Sequence, residues 1–457
     1  MKFFIVLISF YLSAASQSKP NIILCMADDM GWGDTSYNGH PVLRTPHLDQ
    51  MAEEGLRFNR FYASSPVCSP TRASCLTGRH PFRYGITFAN TGRLEKEEIT
   101  LPEILKKQGY KTGHFGKWHL GALTTKVKDA HRGRPNNQES YSPPWEHGYD
   151  ECFVTESAVP TFWKEGVYQS YGTSYWTGMD QQVKEEILGD SSKLILDRTL
   201  PFIERSVAEK VPFLAVIWFH APHMPVVSAS PYTDAYAEHE DKEYYGAITG
   251  IDIQMGRLRQ HLNKLGIEEN TMIWFCSDNG PSHKPNKAGQ TKNLRARKRS
   301  LYEGGVRVPG LLVWPAKIRQ ARHVDMPCST MDYLPTILEI LGEQDAIDRP
   351  LDGISLVPLI ENKMNNRPKA IAFESCISML AARKKDYSKN EVALIEGKYK
   401  IYSKDSGKTI ALFDLEKDPS EKVDLSNELP EIKQKLINKL ISWRQSCRES
   451  ASGQNYK

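Results

Sequence analysis

The feature that most constrains this chain is a repeated one: an apolar run suited to a strand buried on both faces, cut off by side chains that can do chemistry. Asn21-Ile-Ile-Leu-Cys-Met-Ala27 stops at Asp28-Asp29, Phe213 to Phe219 stops at His220, and Met272 to Cys276 leads into Asp278-Asn279-Gly280. Runs without polar alternation belong to strands covered on both sides. Helix-like stretches lie among them, at Thr45 to Gly55, Leu101 to Gly109 and Tyr245 to Leu265. Strands alternating with helices imply an α/β fold, a large, mostly parallel sheet flanked by helices, in which ligands collect at the carboxyl ends of the strands. The three polar strand ends therefore converge on one expected site.

A second texture begins near residue 365. Short strand candidates at Lys369 to Phe373, Glu391 to Ile395, Lys398 to Tyr402 and Ile410 to Asp414 are separated by charged or Gly-containing turns, which predicts a small antiparallel sheet. Pro430 to Trp443 follows, where Ile432, Leu436, Ile437, Leu440 and Ile441 recur at helical spacing and form a packing stripe. The expected organisation is a large domain over residues 20–365 and a C-terminal subdomain over 366–457. At 457 residues and 40% hydrophobic content, the chain can bury such cores without an oligomer.

The formal net charge of +4, from 59 basic and 55 acidic residues, argues against a dedicated nucleic-acid binder. Met1-Lys2, the apolar run Phe3 to Leu12 and Ser13-Ala14-Ala15 have the layout of a signal peptide over residues 1–15, too short an apolar run for a membrane span. The expectation is an exported protein. The sequence contains no Asn-x-Ser/Thr sequon, which favours a bacterial periplasm or secretion over a lysosome. Eight cysteines in so long a chain do not make a disulfide scaffold, and Cys25 and Cys276, inside apolar runs, read as small buried hydrophobes.

Two clusters carry chemistry. Asp28-Asp29 and Asp278-Asn279 offer three carboxylates and an amide oxygen, a set that suits a hard cation such as Ca²⁺ or Mg²⁺ better than zinc. Crowded carboxylates repel unless a cation joins them. In Cys68-Ser-Pro-Thr-Arg-Ala-Ser-Cys-Leu-Thr-Gly-Arg79, Ser69 is expected to cap a helix that starts at Pro70 and ends at Gly78. Cys68 would then sit at a helix N-terminus beside Arg72, as a reactive thiolate or as part of an anion-binding site.

That stretch resembles the signature of the formylglycine-dependent sulfatases, of the alkaline phosphatase superfamily, in which the Cys of a C-x-P-x-R core is oxidised to an aldehyde. Further motifs of the family stand in order: Gly116-Lys-Trp-His-Leu-Gly121, His220-Ala-Pro-His223, Ser277-Asp-Asn-Gly280, Tyr302-Glu-Gly-Gly305 and Leu412-Phe-Asp-Leu-Glu-Lys-Asp-Pro419. The resemblance implies a metal site of Asp28, Asp29, Asp278 and Asn279 with residue 68, holding one Ca²⁺ or, as the alternative, Mg²⁺. It also implies that a formylglycine-generating enzyme matures Cys68, and that a hydroxyl of the hydrated aldehyde attacks sulfur. The sulfated hemiacetal then collapses, expelling sulfate. Arg72 matches the residue that supports the hydrate, and Lys117 and Lys298 match lysines that neutralise sulfate oxygens. His223 matches the leaving-group acid, with His220 its competitor, and His119 matches the base; an imidazole near neutral pH suits both transfers. Arg297 and Arg299 compete with Lys298, because a glycine often precedes that lysine in the family and Arg297 does here. Thr71 replaces the commoner Ser of the signature and keeps its hydroxyl.

The implied substrate is an aryl sulfate or a sulfated carbohydrate, the overall texture being similar to arylsulfatases and N-acetylgalactosamine-6-sulfatases. Lys284 to Arg299 holds seven basic and no acidic residues and is expected to meet a polyanionic glycan. Trp145, Tyr149, Trp163, Tyr168, Tyr171, Tyr175 and Trp176 are either sugar platforms or packing for a long loop. The competing functions are a phosphoester hydrolase of the same superfamily and a catalytically silent glycan-binding protein with an unmodified Cys68.

Overall fold

The computed structural model describes residues 19–282 and 288–456. The expected signal peptide, Lys284 and Lys287 lie outside the described residues. Ten strands form the main sheet, in the order Arg322–Val324, Leu56–Phe58, Gly310–Val313, Thr271–Ser277, Asn21–Ala27, Phe213–Trp218, Lys111–Lys117, Glu151–Thr155, Trp176–Gly178 and Gln181–Gln182. The five from Thr271–Ser277 to Glu151–Thr155 run parallel, and antiparallel pairs follow on both flanks. The fold class expected from the sequence is the one observed.

Alternate residues of the central strands enter two different cores, which is why those runs have no polar period. Ile22, Leu24 and Met26 join one cluster with Leu214, Val216 and Trp218. Ile23, Cys25 and Ala27 join the other with Phe213, Ala215 and Ile217, beneath the helices Pro46–Glu54, Ser191–Ala208 and Lys242–Lys264. Along the strands Asn21–Ala27, Phe213–Trp218 and Thr271–Ser277, charged side chains appear only once the strand leaves the sheet. Register puts those exits side by side, with Ala27 opposite Ser277, Met26 opposite Trp218 and Trp218 opposite Gly116.

The chain ends in a four-stranded antiparallel sheet of Ile371–Ser375, Glu391–Glu396, Tyr399–Ser403 and Ala411–Asp414, covered by the helix Pro430–Ala451. Leu436 and Leu440 are its buried contacts. Ile441, expected on that face, is 61% exposed, and the helix runs eight residues beyond Trp443. Lys400 ties this sheet to the main body, its buried ammonium 2.9 Å from both Glu303 and Glu421. None of the helices in the described residues is long and apolar enough to cross a membrane.

Candidate functional site

The helix that carries position 68 spans Cys68–Thr77, and so starts two residues earlier than a Ser69 cap allows. Val67, in extended backbone, is the residue before it, and no side chain caps the first turn. Cys68 therefore belongs to the first turn, while the Ser69 hydroxyl accepts from the Asn90 N–H at 3.5 Å. Gly78 closes the helix as expected, at φ +64. All ten helical residues are buried, and burial pushes the Cys68 thiol up to about 12 in spite of Lys117 and Lys298. The expected thiolate is thus overturned: an unmodified Cys68 is a protonated, buried thiol at neutral pH. All eight cysteines are free, so Cys68 is not bridged to Cys75.

Asp28 and Asp29 follow the first parallel strand, and Asp29 adopts φ +68. One ligand atom from each of Asp28, Asp29, Cys68 and His223 lies within 4.8 Å of the others. Asn279 donates to Asp29 Oδ1 at 2.7 Å. Asp278 stands beside this group, its Oδ1 accepting from the Asp29 N–H at 3.1 Å and its Oδ2 gripped by Arg72 Nη2 and Nε at 2.8 and 3.1 Å. Arg72 is itself fully buried over Trp218. Lys117 reaches Asp28 Oδ2 at 2.7 Å, and Lys298 pairs with Asp29 Oδ1 while lying 3.3 Å from Cys68 Sγ. Of the three competitors, Lys298 stands at the cluster, Arg297 is turned to the Ser282 carbonyl and Arg299 lines the cavity beside Lys298.

Burial alone would raise Asp28, but Lys117, His223 and Arg72 outweigh it and hold it at about 2. Burial and the charge of Asp28 push Asp278 above the usual carboxylate value, as expected for two acids sharing one site. The residues fit a hard cation on two counts. The donors are oxygens, and Asp28 Oδ1 and Asn279 Oδ1 are buried without a hydrogen-bond partner among the described residues.

His223 donates from Nδ1 to the Met224 carbonyl at 2.6 Å, leaving Nε2 3.8 Å from Asp29 Oδ2. His220 is fully buried and edge-on to Tyr175, away from the cavity that His223 lines. His119 is buried at φ +61, its Nε2 2.6 Å from Asn90 Oδ1. Burial, then Lys117, lowers His119 well below the ordinary imidazole value; burial also lowers His223, with Asp28 and Asp29 opposing. Both imidazoles are thus displaced below the ordinary value, His119 the further of the two.

Glycine lets the backbones around this site approach. A Cβ on Gly116 would stand 1.9 Å from the Trp218 carbonyl, and one on Gly280 would stand 2.0 Å from that of Gly304. The second contact explains why Ser277-Asp-Asn-Gly280 and Tyr302-Glu-Gly-Gly305 occur together, since Gly280 N–H donates to Gly305.

A cavity of about 540 Å³ opens over Cys68, with Lys117, His119, His223 and Lys298 in its wall. Asn90, which holds His119, had no signal in the sequence. Most of the aromatic run packs the loop: Trp163, Tyr168 and Tyr175 are buried, and among the run's residues Tyr171 reaches the cavity wall. Of the basic run, Arg295 lies over the Tyr302 ring, and Arg295 and Lys292 donate to backbone carbonyls, so Lys298 and Arg299 are the two that line the cavity among the described residues.

The family model described as Sulfatase matches residues 20–343, and the one described as N-sulphoglucosamine sulphohydrolase, C-terminal, matches residues 296–446. The chain is 32% identical to the N-acetylgalactosamine-6-sulfatase of Mus musculus over 388 residues, covering 78% of this chain and 69% of that protein. It is 29% identical to the arylsulfatase D of Homo sapiens, covering 89% and 83%. Among solved structures, Ps i-CgsB in complex with k-i-k-neocarrahexaose superposes with a TM-score of 0.81 at 26% identity, over 95% of this chain and 94% of that one. The phosphonate monoester hydrolase of Agrobacterium radiobacter shares the fold at a TM-score of 0.69 and 19% identity, over 94% and 96%.

Proposed function

Since this chain belongs to the sulfatase family, sulfuric ester hydrolases of the alkaline phosphatase superfamily, we propose that it removes sulfate from a sulfated glycan after export, with the nucleophile made from Cys68 by a formylglycine-generating enzyme. In this reading residues 20–365 carry catalysis and 366–457 the C-terminal subdomain. The observation that carries the reading is the placement of Cys68 beside Lys298 and within the Asp28–Asp29–His223 group, at the floor of an open cavity. The relatives are named for sulfated sugars and aryl sulfates, and one neighbour is held with a neocarrahexaose.

Asp28, Asp29, Asp278, Asn279 and the side chain at 68 would hold the cation, for which Ca²⁺ fits better than Mg²⁺ because the set is rich in protein oxygen donors. A formylglycine supplies a hydroxyl nucleophile on a carbon that can later release sulfate, and the cation supplies polarisation of a sulfate oxygen. The chain's own residues do the rest. Lys117 and Lys298 offset charge growing on the sulfate oxygens, in a buried site where such offsets are large. Arg72 holds Asp278 by a two-pronged contact and so fixes the carboxylate cluster. His119 rests neutral and is suited to take a proton, its tautomer set by Asn90. His223 presents Nε2 to the leaving oxygen, and the negative charges of Asp28 and Asp29 oppose the burial that lowers its proton affinity.

The test is hydrolysis of 4-nitrophenyl sulfate beside 4-nitrophenyl phosphate by protein made with the maturing enzyme. Sulfate preference is expected, together with its loss in Cys68→Ala. A phosphate preference would favour a phosphoester hydrolase, and full activity in Cys68→Ala would end the assigned role of position 68.

A further inference from the structure

The cavity over Cys68 is larger than one sulfate group needs, and no carboxylate lines it among the described residues. Beyond the inner cations, its outer wall carries Lys128, His131 and Arg299. The Lys128 and Arg299 side chains are exposed and make no hydrogen bond or ion pair among the described residues. Neighbouring cations behave differently: Arg132 is paired with Glu156 and Lys126 with Asp180, both at 2.6 Å. The adjoining pocket, across Met224, has an acidic balance, with Glu240, Asp241 and Glu243 on its wall against the single cation Lys242. A substrate carrying further negative charge is therefore steered to the Lys128 side.

The outer cations sit on built backbone. Glu156 accepts from the Arg132 Nε and from the His131 N–H, and Arg132 Nη1 donates to the Gly92 carbonyl. Ala130 N–H donates to Gly172, and Asp129 accepts from Ser174 N–H, which fastens the loop to the segment bearing Tyr171. Tyr171 is held edge-on by Trp163 at 5.4 Å. Arg299 directly follows Lys298, its N–H bonded to the Pro66 carbonyl at 2.8 Å.

We propose that Lys128, His131 and Arg299 form a second anion site, which binds a carboxylate or further sulfate of the same substrate molecule, on a sugar beside the one being desulfated. This rests on the sulfatase reading and narrows it to polyanionic oligosaccharides. Tyr171 offers a ring face for the intervening sugar.

The decisive comparison sets the wild-type enzyme against Lys128→Gln/Arg299→Gln on four probes. They are 4-nitrophenyl sulfate, a sulfated disaccharide with a uronate, the same compound with that carboxylate reduced to an alcohol, and a neutral disaccharide bearing two sulfates. The wild type should favour one of the doubly charged disaccharides over the reduced one by about 10-fold in kcat/KM, and the variant should lose that preference, since two exposed charge-assisted contacts amount to about this much. Which of the two anions is favoured distinguishes carboxylate from sulfate. Aryl sulfate turnover should stay within about 2-fold, because neither residue touches the reacting atoms. A preference absent from the wild type, or unchanged in the variant, overturns the second site. Absence of all sulfate hydrolysis by the wild type overturns the sulfatase reading instead, and the second site with it.

Discussion

Replacing Asn90 by glycine isolates one hydrogen bond of the site. Asn90 adopts φ +61, a conformation glycine accepts freely, so the exchange removes the amide without the backbone strain an alanine would add. What is lost is the 2.6 Å contact from Asn90 Oδ1 to His119 Nε2. The other ring nitrogen, Nδ1, is buried without a partner among the described residues, so the ring would lose the bond that sets its tautomer and direction. An unsatisfied buried N–H costs about 1–3 kcal/mol. At about 1.4 kcal/mol per decade of rate, this becomes a fall of about 5- to 140-fold in kcat, with KM nearly unchanged. The complementary change is Asn90→Asp, which keeps an acceptor and adds a charge. An opposite charge at this range raises the proton affinity of an imidazole by about ten- to a thousandfold. His119 starts well below its ordinary value, so a proton would bind at higher pH and the base would be lost as pH falls through the new value. Steady-state kinetics on an aryl sulfate across pH reads both effects. An Asn90→Gly enzyme within about 2-fold of wild type, or an Asn90→Asp enzyme with an unmoved acidic limb, would refute the reasoning.

Lys400→Met leaves Glu421 buried without its cation and Glu303 with Arg307 at 3.8 Å, a loss of about 3–5 kcal/mol, or about 3–5 °C in Tm for a chain of this length. Burial and Glu303 already push Glu421 up to about 7. A carboxyl with a raised folded value binds a proton that the unfolded chain releases, so stability falls as pH rises from the usual carboxylate range through about 7. Without Lys400 the fall steepens, and the Tm gap to wild type should be wider at about pH 8 than at about pH 5; equal gaps would contradict the account. For the cation, adding Ca²⁺ to chelator-treated protein should raise Tm by about 3 °C at a hundredfold excess over its dissociation constant, and Asp28→Asn should flatten that response. A melting curve indifferent to Ca²⁺ and Mg²⁺ would remove the metal from the site.

The strand ends were legible because Asn21–Ala27 and Thr271–Ser277, covered on both sides, hold no charged residue until the chain leaves the sheet, which makes Asp28 and Asp278 conspicuous. Gly78 was legible for a similar reason, since a left-handed helix end selects glycine. The helix start was not, because the first turn is buried in tertiary contacts and needs no local cap from Ser69. Nor was the protonation state of Cys68, which local dipole and charge arguments put too low because they carry no burial term. Asn90 and Glu156 act on His119 and Arg132 across 29 and 24 residues of sequence, through single side-chain contacts that leave no periodic trace. The aromatic run could not be apportioned for the same reason, as Trp163 and Tyr171 differ in burial and not in spacing.

The central claim is tested most directly by the mass of the peptide containing residue 68, from protein matured in a host with the modifying enzyme. The expected peptide has lost sulfur and two hydrogens and gained one oxygen, and it reacts with a hydrazide as an aldehyde does. An intact, alkylatable thiol in catalytically active protein would contradict the account.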